Sequence, residues 1–239
     1  MARQSLVAST VDRIFEDVLS GAIPAGSQLP PEGELAARCD VSRLTVREAV
    51  KVLQVQGVVR GVRGRRHQVV PVSEWTGIEM VLRAVVQEQG PARASIELIQ
   101  VRRMIETGAA ALAALHRSPA ELAALEDHLA AMRAASAAGD VAAFVTADIA
   151  FHDVVFGASG NAFLRVLLDP LARVLQERRT ETSAFAPVQE HAIAMHAEVL
   201  RAVASGSPEA ARRAMDAHMD QTEADLRHYV LGEERSPSS

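Results

Sequence analysis

The chain is poor in cysteine, in aromatic residues and in long apolar runs, and each shortage excludes something. A single cysteine, Cys39, in 239 residues allows no internal disulfide, so the chain is not a stapled secreted scaffold. Aromatics make up 3% of the residues against 49% apolar overall. A core of stacked rings is therefore excluded, and Ala- and Leu-rich helices become the expected packing units. No stretch approaches the roughly 18 uninterrupted apolar residues of a membrane span. The first ten residues also lack the apolar centre of a signal peptide. The expectation is a soluble cytoplasmic protein with no membrane partner.

Charge is not short but uneven. The formal net charge of −5 combines +3 over residues 1–72 with −8 over the rest. Between Val41 and Arg66 stand seven basic residues and one acidic residue, Glu48, which concentrates positive charge where a polyanion can be met.

That basic stretch has a readable order. A first helix carries Val11, Ile14, Phe15, Val18 and Leu19 at helical spacing, with Ser9 as its expected cap, and ends at Ser20-Gly21. Pro and Gly punctuate residues 23–31, so Glu32 to Cys39 is expected as a short second helix after a Pro-fixed entry. Asp40-Val41-Ser42 reads as a turn, and Ser42 caps a third helix running to about Gln56, where Gly57 stops it. On this third helix Val46, Ala49, Val50 and Leu53 form one stripe, leaving Arg43, Thr45, Arg47 and Lys51 on other faces. Residues 58–70 then suggest two short strands around a Gly- and Arg-rich tip. Together these make a winged helix-turn-helix, in which the third helix reads base edges and the wing brings guanidinium groups to the duplex.

These residues resemble the N-terminal domain of the GntR family of bacterial transcriptional regulators. The likeness is carried by Leu29-Pro30-x-Glu32-x-x-Leu35-Ala36, by Val41-Ser42-Arg43-x-Thr45-Val46-Arg47-Glu48-Ala49 and by Leu53-x-x-x-Gly57. It implies double-stranded operator DNA as partner, contacted by Ser42, Arg43, Thr45 and Arg47, with Lys51 beside them and Arg63, Gly64, Arg65 and Arg66 at the wing. One departure stands out: after Glu32 the family usually carries an arginine that touches the operator, and here the residue is Gly33.

A linker is expected at 73–76, with Trp75 between the domains, dividing a DNA-binding domain (1–72) from an all-helical effector and dimerisation domain (77–231). A frayed tail (232–239) is expected beyond that. Helices are expected near 77–89, 94–116, 119–137, 141–156, 163–179, 189–204 and 208–231, with Pro170 starting or kinking one of them. The fold class is therefore mainly α: a winged helix-turn-helix followed by an antiparallel helical bundle.

A second constellation lies in the helical half. Asp148 and His152 are four residues apart and share a helix face. His196 and His218 each lie 11 residues from Ser207, within the turn Ser205-Gly206-Ser207-Pro208. If the flanking helices form a hairpin, both histidines stand about 16 Å from the turn at ~1.5 Å per residue and face each other. Three imidazoles and a carboxylate suit Zn²⁺, or Ni²⁺, Co²⁺ or Mn²⁺. His116, His128 and His228 show no such partnering and read as surface or structural residues, while His191 is left open.

The same half resembles the all-helical FCD effector domain of FadR-type regulators, through Glu97 to Glu106, Asp148-x-x-Phe151-His152, Asn161-x-x-Leu164 and the His196 to His218 segment. The resemblance implies that Asp148, His152, His196 and His218 hold the metal. It also implies that a small carboxylate such as a hydroxy acid, sugar acid or dicarboxylate completes the coordination, and that Arg102 and Asn161 line the pocket. The expected function is a homodimeric regulator, a repressor, released from DNA by that metabolite. The competing readings are a metalloenzyme fused to a DNA-binding module, with Glu198 or Asp153 as general base, and a purely structural metal.

Overall fold

A computed structural model describes residues 5–62, 66–168 and 172–233. Arg63, Gly64 and Arg65 of the wing tip, Pro170, and the tail after Glu233 lie outside the described residues. Two compact units divide the chain between Ala94 and Ser95.

The first unit begins with α1 (Leu6–Leu19), whose Val11, Ile14 and Phe15 are buried. Its cap is Ser5 and not the expected Ser9: the Ser5 side chain accepts from the Ala8 amide, and Leu6 and Val7 are already helical. Helix α2 (Glu32–Cys39) ends at Asp40, whose left-handed backbone (φ 53°) makes the turn into α3 (Arg43–Val55). Val46, Ala49, Val50 and Leu53 face inward from α3, as the apolar stripe requires. Strands β1 (Val59–Arg60) and β2 (Gln68–Val69) pair antiparallel as the wing, and an isolated bridge from Gln28 to Gln68 adds a third segment to it.

Trp75 does not sit between domains as the sequence suggested. It is buried in the core of the first unit, with its ring 5.4 Å from Phe15 and its indole N–H donating to the Val70 carbonyl at 2.9 Å. A buried Trp needs a partner for its N–H, and the turn before it supplies one. The start of α4 (Ile78–His116) belongs to the same core through Met80 and Ala84. Arg83 reaches back from it to Asp12 (2.7 Å) and Glu16 (3.0 Å). The helix is broken at Gly90, where φ 84° and ψ 161° suit glycine alone, with Pro91 next.

Among its described residues the second unit is built of helices joined by turns. It holds the rest of α4, then α5 (Pro119–Ala138), α6 (Val141–Ala158), α7 (Ala162–Leu168), α8 (Ala172–Ser183), α9 (Ala186–Ser205) and α10 (Pro208–Asp225). A π-helical turn, Leu226–Val230, closes it. The described parts of the helix expected over 163–179 are α7 and α8, and Pro170, expected to start or kink a helix, falls outside the described residues. The Ser118 capping box opens α5, with Glu121 returning a hydrogen bond to the Ser118 amide at 2.7 Å. Between α9 and α10 Gly206 adopts φ 76° and Ser207 caps the next helix, so the chain reverses in two residues. Helix α6 is long and apolar enough to cross a membrane, yet half of it is buried within the unit. It is the core helix on which Asp148 and His152 stand.

Candidate functional site

The outer face of α3 presents the residues expected to meet DNA. Ser42 holds the helix start, its hydroxyl accepting from the Thr45 amide at 3.1 Å and lying 2.9 Å from the Thr45 hydroxyl. Arg43, Arg47 and Lys51 are exposed. Arg47 makes a two-pronged pair with Glu32 (3.1 and 2.8 Å), and that hydrogen bond draws the Glu32 carboxyl below its usual range. Lys51 pairs with Glu48 at 2.9 Å. Arg43 lies over α2 at the bare position Gly33, where a Cβ would stand 3.0 Å from its Nη2. Arg66 is exposed at the foot of the wing. The first turn of α3 also exposes Leu44 (65%), a residue charge counting passed over, whose methyl groups suit contact with a thymine methyl.

The polar centre of the second unit is the opposite kind of surface. His152 on α6, His196 on α9 and His218 on α10 are all buried, and one ring nitrogen from each lies within 4.8 Å of the others. The ring centroids of His196 and His218 are 4.5 Å apart, the level meeting that the hairpin count requires. Asp148 Oδ1 lies 3.0 Å from His196 Nε2 and 4.0 Å from His152 Nε2. Phe151 seals the floor, its ring 4.6 Å from His196.

Several ring nitrogens of this centre are buried without a hydrogen-bond partner. His196 Nδ1 sits 2.7 Å from the Ala192 carbonyl, which leaves Nε2 for another partner. His152 Nδ1 lies 2.7 Å from Glu106 Oε2 without hydrogen-bond alignment. Both nitrogens of His152, Nε2 of His196 and Nδ1 of His218 are buried with no hydrogen-bond partner. Such groups cost about 1–3 kcal/mol each unless something binds them. Burial pushes the His196 and His218 imidazoles well below their ordinary pKa, so both are neutral and able to donate a lone pair.

Two arginines and a glutamate complete the centre. Arg102 is buried and paired to Glu106 (2.6 Å). Burial alone would raise the Glu106 carboxyl, but Arg102 foremost, then His152 and Arg179, hold it well below the usual range. Arg179 on α8 pairs with Asp148 through Nη1 and leaves its Nε without a partner. Burial, then the charge of Arg102, pushes Arg179 down to about 9. Glu106 and Arg179 were not picked out as site residues; Glu106 could have been, standing one turn from Arg102, but nothing in the sequence marks Arg179.

A cleft of about 460 Å³, part of it open to solvent, lies against this centre and is lined by Arg102, Asp148, Arg179, His218, Gln221 and Asp225 among others. Asn161 is not among its lining residues. It is exposed, and its side-chain carbonyl accepts from the Phe163 amide (3.0 Å) at the start of α7. Glu198 is exposed and pairs with Arg201, and Asp153 is exposed, so neither is placed as a base for the histidines. His116 binds the Ser159 carbonyl, and His228 lies against Tyr229. His191 meets Asp225 at 3.0 Å.

A winged helix-turn-helix joined to a helical unit with an internal cleft defines a DNA-binding regulator that senses a small molecule. Residues 6–69 match the bacterial regulatory proteins of the gntR family and residues 97–221 match the FCD domain. The chain belongs to the GntR family, in its FadR-type branch with an FCD effector domain. It is similar to the HTH-type transcriptional regulator LutR of Bacillus subtilis, at 29% identity over 89% of this chain and 97% of that one. It is also similar to the galactonate operon transcriptional repressor of Escherichia coli, at 29% identity over 72% and 78%. Among solved structures, Lar, which controls expression of the agr system of Listeria monocytogenes, shares the fold with a TM-score of 0.64. The identity there is 16%, over 96% of this chain and all of that one. The chain is therefore a transcriptional regulator that binds operator DNA and responds to a small-molecule effector, and it is not an enzyme.

Proposed function

We propose that this regulator is a metal-dependent carboxylate sensor acting in the cytoplasm, most simply as a repressor. The observation that carries the metal is the set of buried imidazole nitrogens without hydrogen-bond partners beside Asp148. Their spread of at most 4.8 Å is close to the span of two metal–ligand bonds of about 2.0–2.2 Å each. Asp148, His152, His196 and His218 would hold the ion, with Zn²⁺ as first choice and Ni²⁺, Co²⁺ or Mn²⁺ as alternatives. Bound there, the ion supplies a Lewis-acid anchor for a carboxylate. Arg102 and Arg179 on the cleft wall add charge-assisted donors for the same group.

The output is the face of α3. Ser42, Arg43, Thr45, Arg47 and Lys51 would contact the operator, with Arg66 and, outside the described residues, Arg63, Gly64 and Arg65 at the wing. For Arg47 to reach DNA it must exchange Glu32 for a phosphate or a base edge. Helix α4 carries both Met80 of the first core and Arg102 of the cleft, with its break at Gly90, so an effector that repositions Arg102 acts on a segment rooted in both units. Regulation requires the acid to bind the DNA-competent arrangement less tightly than the other.

A second copy is the remaining partner. Val101, Met104 and Leu115 lie along one face of α4, with Met104 71% and Leu115 56% exposed, an apolar stripe suited to a homodimer that reads a two-fold operator. Metal analysis of the purified protein with zinc titration of wild type and His196→Ala tests the centre. About one ion per chain, lost in the variant, is the expected result. A protein that carries no metal and takes none up contradicts the proposal, and tight metal binding with no response to any acid leaves only the structural-metal reading.

A further inference from the structure

Beyond the metal ligands, one stretch of the cleft wall carries hydrogen-bond acceptors, beside Ser183 and the apolar Phe144, Val188 and Ala192. His218, Gln221, Thr222 and Asp225 lie on α10 at intervals of three, one and three residues, so one helix face lines the cleft. Asp225 stands about 10 Å along the axis from His218 at ~1.5 Å per residue. Its side chain is 4% exposed. Gln221 Nε2 donates to its Oδ1 at 2.9 Å, and His191 Nδ1 lies 3.0 Å from the same oxygen and 3.3 Å from Oδ2, which leaves the remaining lone pairs of the carboxylate for the cleft.

The hydroxyls of Thr222 and Thr182 have spent their protons. Thr222 donates to the His218 carbonyl at 2.8 Å, and Thr182 donates back into α8, to the Arg178 and Arg179 carbonyls at 3.2 Å. Toward the cleft both offer lone pairs only. Glu106 and Asp148 already balance Arg102 and Arg179, so the proposed metal is what makes this end take an anion, with the two arginines as donors; the wall that ends at Asp225 takes donors and repels a second anion.

We infer that the effector is a polyhydroxy monocarboxylic acid, its carboxylate at the metal end and its hydroxyls donating to Asp225, Thr182 and Thr222. This rests on the reading that a carboxylate binds beside the metal, and it separates the acids that reading admits. A dicarboxylate of the same length brings a negative charge to Asp225 and no donor. An unsubstituted acid leaves the acceptors unpaired, although it has an alternative: an apolar recess of Leu98, Ile99, Leu175 and Leu226 shares Arg102, Arg179, Thr182 and Thr222 with the cleft. Several separate acceptors along the wall suit several hydroxyls better than a single ammonium group.

The test uses the zinc-loaded full chain and three probes of equal carbon count, gluconate, hexanoate and adipate, titrated by calorimetry. Gluconate is expected to bind at least about tenfold more tightly than either of the others, the difference that pairing a buried charged acceptor makes. Asp225→Asn is expected to shrink the preference for gluconate over adipate by about tenfold, since it removes the repulsion while keeping the shape. Thr222→Val is expected to weaken gluconate without weakening hexanoate, whose apolar recess Thr222 also lines and where a methyl is no loss. Metal-dependent binding of adipate or hexanoate as tight as that of gluconate overturns the acceptor wall and leaves the carboxylate site standing. Failure of all three to bind overturns the carboxylate reading and this inference with it. The wild-type comparison decides even if a variant does not fold.

Discussion

The two units place their charged groups in opposite surroundings. In the first, Arg43, Arg47 and Lys51 stand on the outside of a core that is apolar from Val11 to Ala84. In the second, Arg102, Glu106, Asp148 and three histidines are themselves in the interior. An exposed ion pair such as Arg47–Glu32 adds little to stability because water competes for both partners, so it can open when DNA arrives. The buried cluster has no such freedom: four of its imidazole nitrogens lack hydrogen-bond partners in a low-dielectric interior, a deficit that the proposed metal would meet. On this proposal the first unit exchanges partners and the second requires one.

The largest expected effect would break the second half of that contrast. Chelating the metal from wild-type protein is expected to lower the melting temperature by about 10 °C, the shift that a ligand at several hundred times its Kd produces in a chain of this size. In His196→Ala and His218→Ala, calorimetry with and without chelator should show no such difference. Next comes the first half. Arg43→Ala is expected to weaken a selected operator by roughly 10- to 100-fold with the melting temperature unchanged, by fluorescence anisotropy beside calorimetry. A parallel loss of fold would deny that the residue is an exposed contact.

A smaller effect sharpens the DNA face. Gly33→Arg places a side chain where Arg43 now lies, with its Cβ 3.0 Å from Nη2, and puts an arginine where the family usually has one. A change of a few-fold in the ranking of operator variants is expected, read by selection from random DNA, and an unchanged ranking would show that Gly33 does not set the pose of Arg43. The smallest effect belongs to Glu32→Ala. Freeing Arg47 should raise operator affinity by a few-fold, with a steeper dependence on salt and no loss of thermal stability.

What was legible in the sequence follows the same division. The winged helix was readable because local rules set it: Ser42 caps, Gly57 stops, and the four inward residues of α3 keep helical spacing. Its one local error, Ser9 for Ser5, arose because two hydroxyls compete for one helix start. Trp75 was misplaced because sequence cannot show that α4 begins by packing on the first core. In the helical unit, the level meeting of His196 and His218 came from counting residues to Ser207, since two straight helices and a short turn leave only one arrangement. Arg179 and Asp225 reach the cleft only through tertiary packing of α8 and α10, and neither has a local pattern. Asn161 was carried over by resemblance, and here it serves the start of α7.

An acid bound beside the metal is proposed to change the grip of α3 on DNA. The most direct measurement is the affinity of the zinc-loaded protein for its selected operator, by anisotropy, with and without an acid shown by calorimetry to bind. A fall of about tenfold or more, a coupling of roughly 1.4 kcal/mol, abolished in His196→Ala, is the predicted result. Unchanged operator affinity at saturating acid would contradict the account.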